Sequence, residues 1–434
     1  MDIKKLCIVA GGFSEFDKRI VSLFHSEVRK IIDTSLIILE FKDGALYIKP
    51  EQINEISTSD AIVISGSAIL TGMMEIIEKL KKTAFVIVDD FLAENGIRAI
   101  NFIRINSFEK TRLSEYLSET INHDLVNYFF FDGGQAFYLS KLNILKKKIW
   151  HIPFSCWFGI ENTENYDDQD IDISFIGNIS PVYFSPKYQN LFLKCFFDKL
   201  NDLQRPAFEI FLDNVSTTEQ NISSENPIFW MLYRHISWFF INPMIRTYII
   251  GNIKKKVVYP GFDLSIIHQG LGRPLIHQIS ESNILSPNQI IENVFLLPEK
   301  IGHVSIPKLE NVIRIDFIPY EMQGKFYRRS KINLLITNAG VQTGISPHVL
   351  TRLSAGAFFL TDPRYELKEI FGECIELVTY RNIDELNDKI DYYLSHPSER
   401  RDIVMYLREK FLEFTKGMTP AEILVKMIRN FSVP

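Results

Sequence analysis

Two acidic motifs stand where a catalytic base could act on a substrate. Asp89-Asp90 follows the apolar run Phe85 to Val88, and Asp132 follows the run Leu125 to Phe131. A carboxylate at the end of a buried strand can accept the proton of a substrate hydroxyl. Aspartate is also typical of the residue that caps the N-terminus of a helix. The sequence therefore predicts Asp89, Asp90 and Asp132 as catalytic candidates, with helix capping as the alternative.

The stretch from Lys331 to Asp362 has the pattern of an anion-binding loop. Its apolar strand leads into a loop with Gly340 and Gly344, and Pro347 stands near the start of a helix that covers His348 to Ser354. The first N–H groups of a helix have no partner within the helix and lie at the positive end of its dipole. Such a position suits phosphate, so the stretch predicts a phosphate-binding loop.

Three further turns could bring backbone or an aromatic ring close to a ligand. Gly11-Gly12 follows the first apolar run, Gly177-Asn178 follows the first strand of the second half, and Tyr320 follows a predicted strand. Gly11-Gly12 would also suit a tight turn from strand to helix. It lacks the G-x-G-x-x-G spacing of a dinucleotide site. For Tyr320, the alternative to stacking on a nucleotide base is an exposed loop tyrosine without a role.

Composition narrows the class of protein. A chain of 434 residues predicts two domains. A formal net charge of -5 argues against a nucleic-acid-binding domain, which is usually basic. The four cysteines are far apart and the N-terminus lacks the features of a signal peptide, so we expect a cytoplasmic protein. Asp170-Ile171-Asp172 leads from an acidic linker into a strand, and no metal site is predicted.

Strand and helix patterns alternate twice along the chain. Short apolar strands separated by helices predict parallel sheets that are covered on both faces, with ligands at the carboxyl ends of the strands. We predict an N-terminal domain over residues 1–160, a linker over 161–172, a C-terminal domain over 173–418 and a final helix within 419–434. A cleft is expected between the two halves. The strands predicted in the second half include Phe208 to Leu212, Val312 to Ile318 and Ile375 to Thr379.

Residues from about 214 to 309 interrupt the second alternation. The part from 226 to 262 has no acidic residue and combines aromatic with basic side chains. Its apolar run is broken by charged residues and proline, so it is a poor transmembrane helix. We interpret it as a helical insertion packed on the domain or in a homodimer contact. The alternative is a helix that lies on a membrane surface.

Several segments resemble the group 1 glycosyltransferases of the CgeB-like branch, which have the GT-B fold. The residues 331–371 are similar to the family's donor-side pattern, and Asp391 to Arg400 continues it. The segments that match in and around the N-terminal half are FVIVDD (Phe85 to Asp90), YFFFD (Tyr128 to Asp132), HIPFSCW (His151 to Trp157) and DISFIGN (Asp172 to Asn178).

The resemblance implies an α/β protein with two Rossmann-like domains that face a cleft. The C-terminal half would bind a nucleotide-sugar donor, the N-terminal half would bind most of the acceptor, and no metal would be required. Backbone N–H groups, a helix dipole and a cation would stabilise the departing phosphate. The residues implied for the phosphate loop are Gln342, Thr343, Gly344, Ile345 and Ser346, with His348, Thr351 and Arg352 on the helix that follows.

The sequence departs from the family pattern on that helix. His348 stands where the family has an arginine, and Thr351 stands where it has an acid that commonly holds the ribose hydroxyls. Thr351 can offer only a neutral hydrogen bond, and Arg352 points about 100° away from its neighbour. One hypothesis is a donor with a single phosphate, and another is a site that has lost its activity.

The predicted function is transfer of a sugar from a nucleotide-sugar donor to a glycan, lipid-linked or protein acceptor. The family resemblance places this in bacterial surface-glycan or protein-glycosylation pathways, in the cytoplasm or at the inner face of the membrane. No cofactor is implied. One alternative is a non-catalytic GT-B-like module that binds a glycan or a partner. Another is a nucleotide-sugar epimerase of the same fold.

Overall fold

Each half of the chain contains one parallel sheet with helices packed on it. The computed structural model describes residues 3–11, 15–42, 45–66, 70–88, 90–105, 112–147, 149–152, 169–177, 179, 182–183, 188–217, 222–260, 294–295, 300–301, 304–305 and 309–431. The elements of the N-terminal half are β1 (Lys5–Gly11), α1 (Glu15–Arg29), β2 (Asp33–Lys42), β3 (Ala45–Tyr47), α2 (Pro50–Thr58), β4 (Ala61–Ser65), α3 (Leu70–Leu80), β5 (Thr83–Val88), α4 (Phe91–Ile105), α5 (Leu113–Ile121), β6 (Val126–Phe130), α6 (Gly133–Lys141) and β7 (Trp150–His151).

The N-terminal sheet has seven strands in the order β3-β2-β1-β4-β5-β6-β7. Only β3 runs antiparallel to its neighbour β2, and the other described pairings are parallel. Every residue of β5 is buried, as are the last six residues of β1. Continuous apolar strands of this kind can be stable only where helices cover both faces of the sheet. The carboxyl ends of β1, β4, β5 and β6 therefore lie at one edge.

The C-terminal half has a five-stranded sheet in the order β14-β10-β8-β15-β16, in which the paired strands run parallel. Its elements are β8 (Ile171–Phe175), β9 (Val182–Tyr183), α7 (Gln189–Asn201), α8 (Ala207–Thr217), α9 (Pro227–Arg234), a π-helical segment (His235–Ile241), α10 (Asn242–Gly251), β10 (Val257–Pro260), β11 (Val294–Phe295), β12 (Lys300–Ile301), β13 (Val304–Ser305), β14 (Val312–Ile315), α11 (Tyr320–Arg329), β15 (Ser330–Leu335), α12 (Pro347–Ser354), β16 (Phe359–Thr361), α13 (Tyr365–Phe371), a 3-10 segment (Gly372–Leu377), α14 (Ile383–Ser395), α15 (Pro397–Thr415) and α16 (Pro420–Arg429).

Two strand predictions in this half are wrong. The segment from Phe208 to Leu212 lies in helix α8, and most of the segment from Ile375 to Thr379 lies in the 3-10 segment. Phe208, Phe211 and Val215 are buried at helical spacing, which a five-residue apolar run does not reveal. Only Thr379 makes a strand-like bridge, to Thr361.

In the segment predicted as an insertion, the described residues 222–260 are part of the domain. Strand β10 lies inside the sheet between β14 and β8. Helix α9 packs against α4 of the N-terminal half, and Trp230, Tyr233 and Arg234 on α9 are buried. This burial contradicts a membrane-surface face over 226–260 and agrees with internal packing. Among the described helices, none has the length and apolar content needed to cross a membrane.

The last helix returns to the N-terminal half. Arg429 in α16 donates to the carbonyl oxygen of Ile31 at 3.2 Å. Just after α16, the Phe431 ring contacts Phe85 edge to face, with 5.3 Å between ring centroids. Phe85 lies in β5, so the end of the chain packs onto the N-terminal sheet. Both halves are thereby joined at α4–α9 and at α16.

Gly96 permits the close packing of α4 on α9. A Cβ at this position would lie 3.0 Å from the Trp230 carbonyl oxygen and 3.1 Å from the Arg234 Cβ. Both neighbours belong to a buried helix that cannot shift freely. We expect Gly96→Ala to lower the free energy of unfolding by about 1–3 kcal/mol because of overpacking. Chemical denaturation measures this change.

Gly324 provides the matched control. It lies inside helix α11, where a Cβ would meet no atom within 4 Å. Gly324→Ala should raise the free energy of unfolding by about 0.5–1 kcal/mol through helix propensity. A Gly96→Ala protein as stable as the Gly324→Ala protein would contradict the proposed tight contact.

Candidate functional site

Residues from the carboxyl ends of both sheets meet where the two halves touch. Asp132 follows β6, His151 ends β7, and Asp90 follows β5 by two residues. They face the loop that follows β15 and the start of α13. The candidate site is therefore built from the two stretches that the sequence singled out.

Asp132 is the centre of this contact. Its carboxylate accepts hydrogen bonds from the backbone N–H of Gln342 at 2.5 Å, of Thr343 at 3.0 Å and of Gly344 at 3.2 Å. It also caps α6 by accepting from the N–H of Gly134 at 3.0 Å. Burial and the charge of Glu366 raise the pKa of Asp132, against the lowering effect of the loop amides.

These bonds bear on two expectations, the phosphate loop and the catalytic role of Asp132. The N–H groups of Gln342, Thr343 and Gly344 do hold an anion, but that anion is a carboxylate of the chain itself rather than a donor phosphate. Asp132, predicted as a catalytic candidate, is buried and surrounded by donors. Its carboxylate therefore bonds one half to the other.

Glu366 extends the network to the edge of the contact. One of its carboxylate oxygens accepts from the N–H of Gly133 at 2.8 Å and from the Thr343 hydroxyl at 2.7 Å. The other lies 3.1 Å from Nε2 of His151. Although burial lowers it, the hydrogen bond to Glu366 and the charge of that carboxylate raise the pKa of His151 above its usual value.

Asp90 has the capping role that the sequence left as the alternative. Its Oδ1 accepts from the N–H of Ala93 in the first turn of α4 at 3.2 Å, and its Oδ2 accepts from the indole of Trp238 at 2.5 Å. Burial raises the pKa of Asp90 to about 6, although these hydrogen bonds oppose the change. A Cβ on Gly340 would lie 2.0 Å from its Oδ2, so the carboxylate abuts the loop.

The other residues of the predicted phosphate loop also contact groups of the chain itself. The Gln342 amide accepts from the N–H of Phe208 at 2.9 Å and donates to the Tyr233 hydroxyl at 2.8 Å. Ile345 is buried, and the Ser346 hydroxyl caps α12 by accepting from the N–H of His348. These side chains shape the loop and fix its position.

Basic side chains gather beside the loop, at the carboxyl end of β15. Nη1 of Arg352 lies 3.1 Å from Nδ1 of His348, and its guanidinium stacks 3.9 Å above the centroid of the Tyr327 ring. Arg246 reaches from α10, where its Nη2 donates to the carbonyl oxygen of Ile336 at 3.4 Å. We call Arg246, His348 and Arg352 the basic cluster.

His348 is the neutral member of the basic cluster. Although part of the residue is exposed, desolvation of its ring and the charges of Arg352 and Arg246 lower its pKa to about 3. Arg246 is thus a second arginine whose charge acts on His348. Position 351 holds a threonine instead of an acid, and its hydroxyl donates to the His348 carbonyl oxygen at 3.0 Å.

The remaining candidates lie apart from this contact or outside the described residues. Gly11 ends β1, and Gly177 packs on Phe175, whose ring would lie 2.5 Å from an added Cβ. Tyr320 begins helix α11 instead of lying in a loop. Asp170 and Asp172 pair with Arg329 and Lys331, respectively. Outside the described residues are Asp89, Gly12 and Asn178.

Comparison with known proteins was informative for the C-terminal half and for the fold. A family model described as glycosyl transferase-like matches residues 292–419, which is less than half of the chain. No curated protein matches the chain significantly. The matched residues include β15, the loop, α12 and β16.

Solved structures resemble the chain over nearly its whole length. The β-glucosyltransferase of T4 phage, solved with UDP and Mn2+, is 10% identical with a TM-score of 0.51, and the match covers 98% of this chain and 100% of that one. Sucrose-phosphate synthase from Thermosynechococcus elongatus is 8% identical with a TM-score of 0.50, and the match covers 98% of both chains. The chain has the GT-B fold.

The sequence did not predict two charged residues near the loop, Arg246 in the basic cluster and Glu366 at the contact between the halves. Arg246 lies in the acid-free part of the chain. The lack of an acid close in sequence indicated that its charge does not pair with a sequence neighbour. Glu366 lies within the donor-side pattern, four residues after Asp362. Neither signal indicated which surface the side chain would meet, because both contacts bridge segments far apart in sequence.

Asp132→Asn tests the contact between the GT-B halves. An amide group would place an N–H donor against the donors of the loop, which should lower the free energy of unfolding by about 1–3 kcal/mol. Amide hydrogen exchange at residues 342–344 should become faster. Asp60→Asn is the control, because Asp60 accepts from the N–H groups of Lys4 and Lys5 within the N-terminal half alone. Equal exchange at 342–344 in both variants would contradict the assigned role of Asp132.

The His151–Glu366 pair predicts a pH-dependent part of the stability. Because the folded protein raises the pKa of His151, the pair stabilises the fold fully below about pH 6.5. This contribution is lost as the pH rises through the raised value. The difference in unfolding free energy between the wild type and His151→Gln should therefore shrink as the pH rises above about 6.5. The trend should vanish in a Glu366→Gln background, and its persistence there would contradict the pairing.

Proposed function

We propose that the chain is a glycosyltransferase that moves a sugar from a nucleotide-sugar donor to an acceptor hydroxyl, without a required metal. The observation that carries this proposal is the glycosyl transferase-like match over residues 292–419 within a GT-B fold. The matched residues include α12 and the loop beside the basic cluster. That is the side of the fold that the family resemblance assigns to the donor.

The basic cluster suits a donor that leaves as a diphosphate. Phosphate charge grows as the bond to the sugar breaks, and preorganised cations stabilise that charge. Arg246 and Arg352 supply two positive charges, Arg352 from a fully buried guanidinium that stacks on Tyr327, whereas His348 is neutral. Two cations support a nucleoside diphosphate sugar over the single-phosphate donor that the altered helix suggested. The related T4 phage structures with UDP and with UDP-glucose also support this choice.

The acceptor and setting of the proposed reaction follow from the family resemblance. The acceptor is a glycan, a lipid-linked glycan or a protein, in a bacterial surface-glycan or protein-glycosylation pathway. The proposed location is the cytoplasm.

A non-catalytic binding module is the second candidate. Thr351 replaces the acid that would hold a ribose, and Asp132 already occupies the loop N–H groups. Both observations favour a GT-B protein that binds a ligand without turning it over.

Release of nucleotide distinguishes the two candidates. The full chain is incubated with UDP-, GDP-, ADP-, dTDP- and CMP-linked sugars, and mass spectrometry follows the nucleotide and the sugar. A glycosyltransferase should release the nucleotide by transfer or slow hydrolysis. The proposed donor gives a nucleoside diphosphate, and release of CMP would indicate the single-phosphate donor instead. Binding of a nucleotide sugar with no release would favour the module. A changed sugar on an intact nucleotide would indicate an epimerase.

Arg246→Gln tests the basic cluster. Loss of a charged hydrogen-bond donor costs about 1.5–3 kcal/mol, so the Kd for UDP or GDP should rise about 10- to 100-fold. Calorimetric titration measures this change. Arg381→Gln is the control, because Arg381 pairs with Glu376 and Glu385 on the surface. Equal nucleotide affinities in the two variants would contradict a donor role for Arg246.

A further inference from the structure

A cleft of about 470 Å³ opens along the seam between the two halves. Helix α6 and β7 form one wall, and the starts of α8 and α13 form the other. The volume lies within the range of about 300–1,000 Å³ that is typical of small-molecule sites. The floor is the network of Gly133, Thr343 and Glu366 that joins the halves.

Aromatic rings stand exposed at the mouth of the cleft. Phe137 on α6 is 60% exposed, and Tyr365 at the start of α13 is 50% exposed. They come from different halves of the chain and both line the cleft. Large aromatic side chains are normally buried, and exposed apolar groups that share a concave surface commonly mark a binding site. A flat apolar face of a ligand could lie against these rings.

Fixed hydrogen-bonding groups also line the cleft. The Tyr138 hydroxyl donates to Glu209 at 3.0 Å, and Glu209 is held by Arg205 at 2.9 Å. His151 keeps about a third of its side chain exposed at the cleft while its Nε2 is bound to Glu366. Carboxylates and imidazole held in this way offer acceptors and donors to hydroxyl groups at fixed positions.

The charge of the cleft limits what it can bind. Its lining includes Glu209, Glu366 and Glu369, and His151 is its one basic residue among the described lining side chains. A phosphate or an acidic sugar would meet like charges there. The basic cluster on the other side of the loop has the opposite charge. The cleft is therefore unsuited to the donor phosphates.

We propose that this cleft binds a saccharide without negative charge, a neutral or amino sugar, whose apolar ring face lies against Phe137 and Tyr365. Its hydroxyl groups bond to Glu209, Glu369 and His151. Apolar C–H faces combined with several hydroxyl groups match a surface that combines exposed rings with held carboxylates. A purely apolar ligand would leave the carboxylates unpaired, and an acidic one would be repelled.

The inference deepens the proposed function, because under that function the saccharide is the acceptor. Binding itself does not depend on transfer and is measured without any donor. A protein that releases nucleotide but binds no saccharide would refute the cleft and keep the enzyme. A protein that binds a saccharide through the cleft but never turns over a nucleotide sugar would keep the cleft and refute the enzyme.

The test is a glycan array of neutral, amino and acidic oligosaccharides, probed with the full chain. Saturation-transfer NMR with cellobiose, chitobiose and a glucosamine disaccharide follows. We expect neutral or amino glycans to be retained and acidic ones to be rejected. Phe137→Ala with Tyr365→Ala should weaken binding at least about 10-fold, which corresponds to about 1.4 kcal/mol. Glu369→Gln should reduce the discrimination against acidic glycans.

Tyr406→Ala is the matched control, because Tyr406 is 45% exposed on α15 and does not line the cleft. All four substituted residues are on the surface, so unchanged thermal unfolding verifies that each variant folds. Retention of no neutral or amino glycan would overturn the proposal. So would equal binding by the double variant and the control, a preference for acidic glycans, or selective capture of peptides by the cleft.

Discussion

One buried carboxylate bonds the two halves of this protein to each other at the carboxyl ends of their sheets. Asp132 caps a helix in the N-terminal half and accepts from three consecutive backbone amides of the C-terminal half. Taking a charge out of water is costly unless several donors replace the water. The loop amides supply those donors only while the halves are in contact. Separation of the halves would leave both the carboxylate and the amides in need of new partners.

The hydrogen bonds between Asp132 and the loop require glycine at two neighbouring positions. A Cβ on Gly344 would lie 2.9 Å from the Asp132 Cβ, and one on Gly134 would lie 2.8 Å from the Gln342 Cβ. Either side chain would force the two backbones apart and lengthen the bonds to Asp132. From the sequence, Gly344 indicated a phosphate loop. In the structure the missing side chain serves the approach of a second domain, which is a different use of the same property.

Prediction from sequence succeeded where the signal was local. The apolar run Phe85 to Val88 lies in β5, the run Leu125 to Phe131 contains β6, and the helix predicted over His348 to Ser354 is α12. Phe208 to Leu212 failed because a short apolar run fits a strand and a buried helix equally well. The capping of α4 by Asp90 was open to prediction. The hydrogen bond that the Gln342 N–H donates to Asp132 could not be predicted. The local sequence of a loop indicates its N–H donors but not an acceptor that lies far away in the chain.

The two sides of the loop have opposite electrostatic character, and this bears on how a transferase could work. Arg246 and Arg352 stand on one side, whereas Glu209, Glu366 and Glu369 stand on the other. Fields of opposite sign would draw phosphates to the first side and exclude them from the second. Arg246 lies on α10, which packs against the π-helical segment and α7. The segment that interrupts the alternation of strand and helix thus places an arginine charge close enough to lower the pKa of His348.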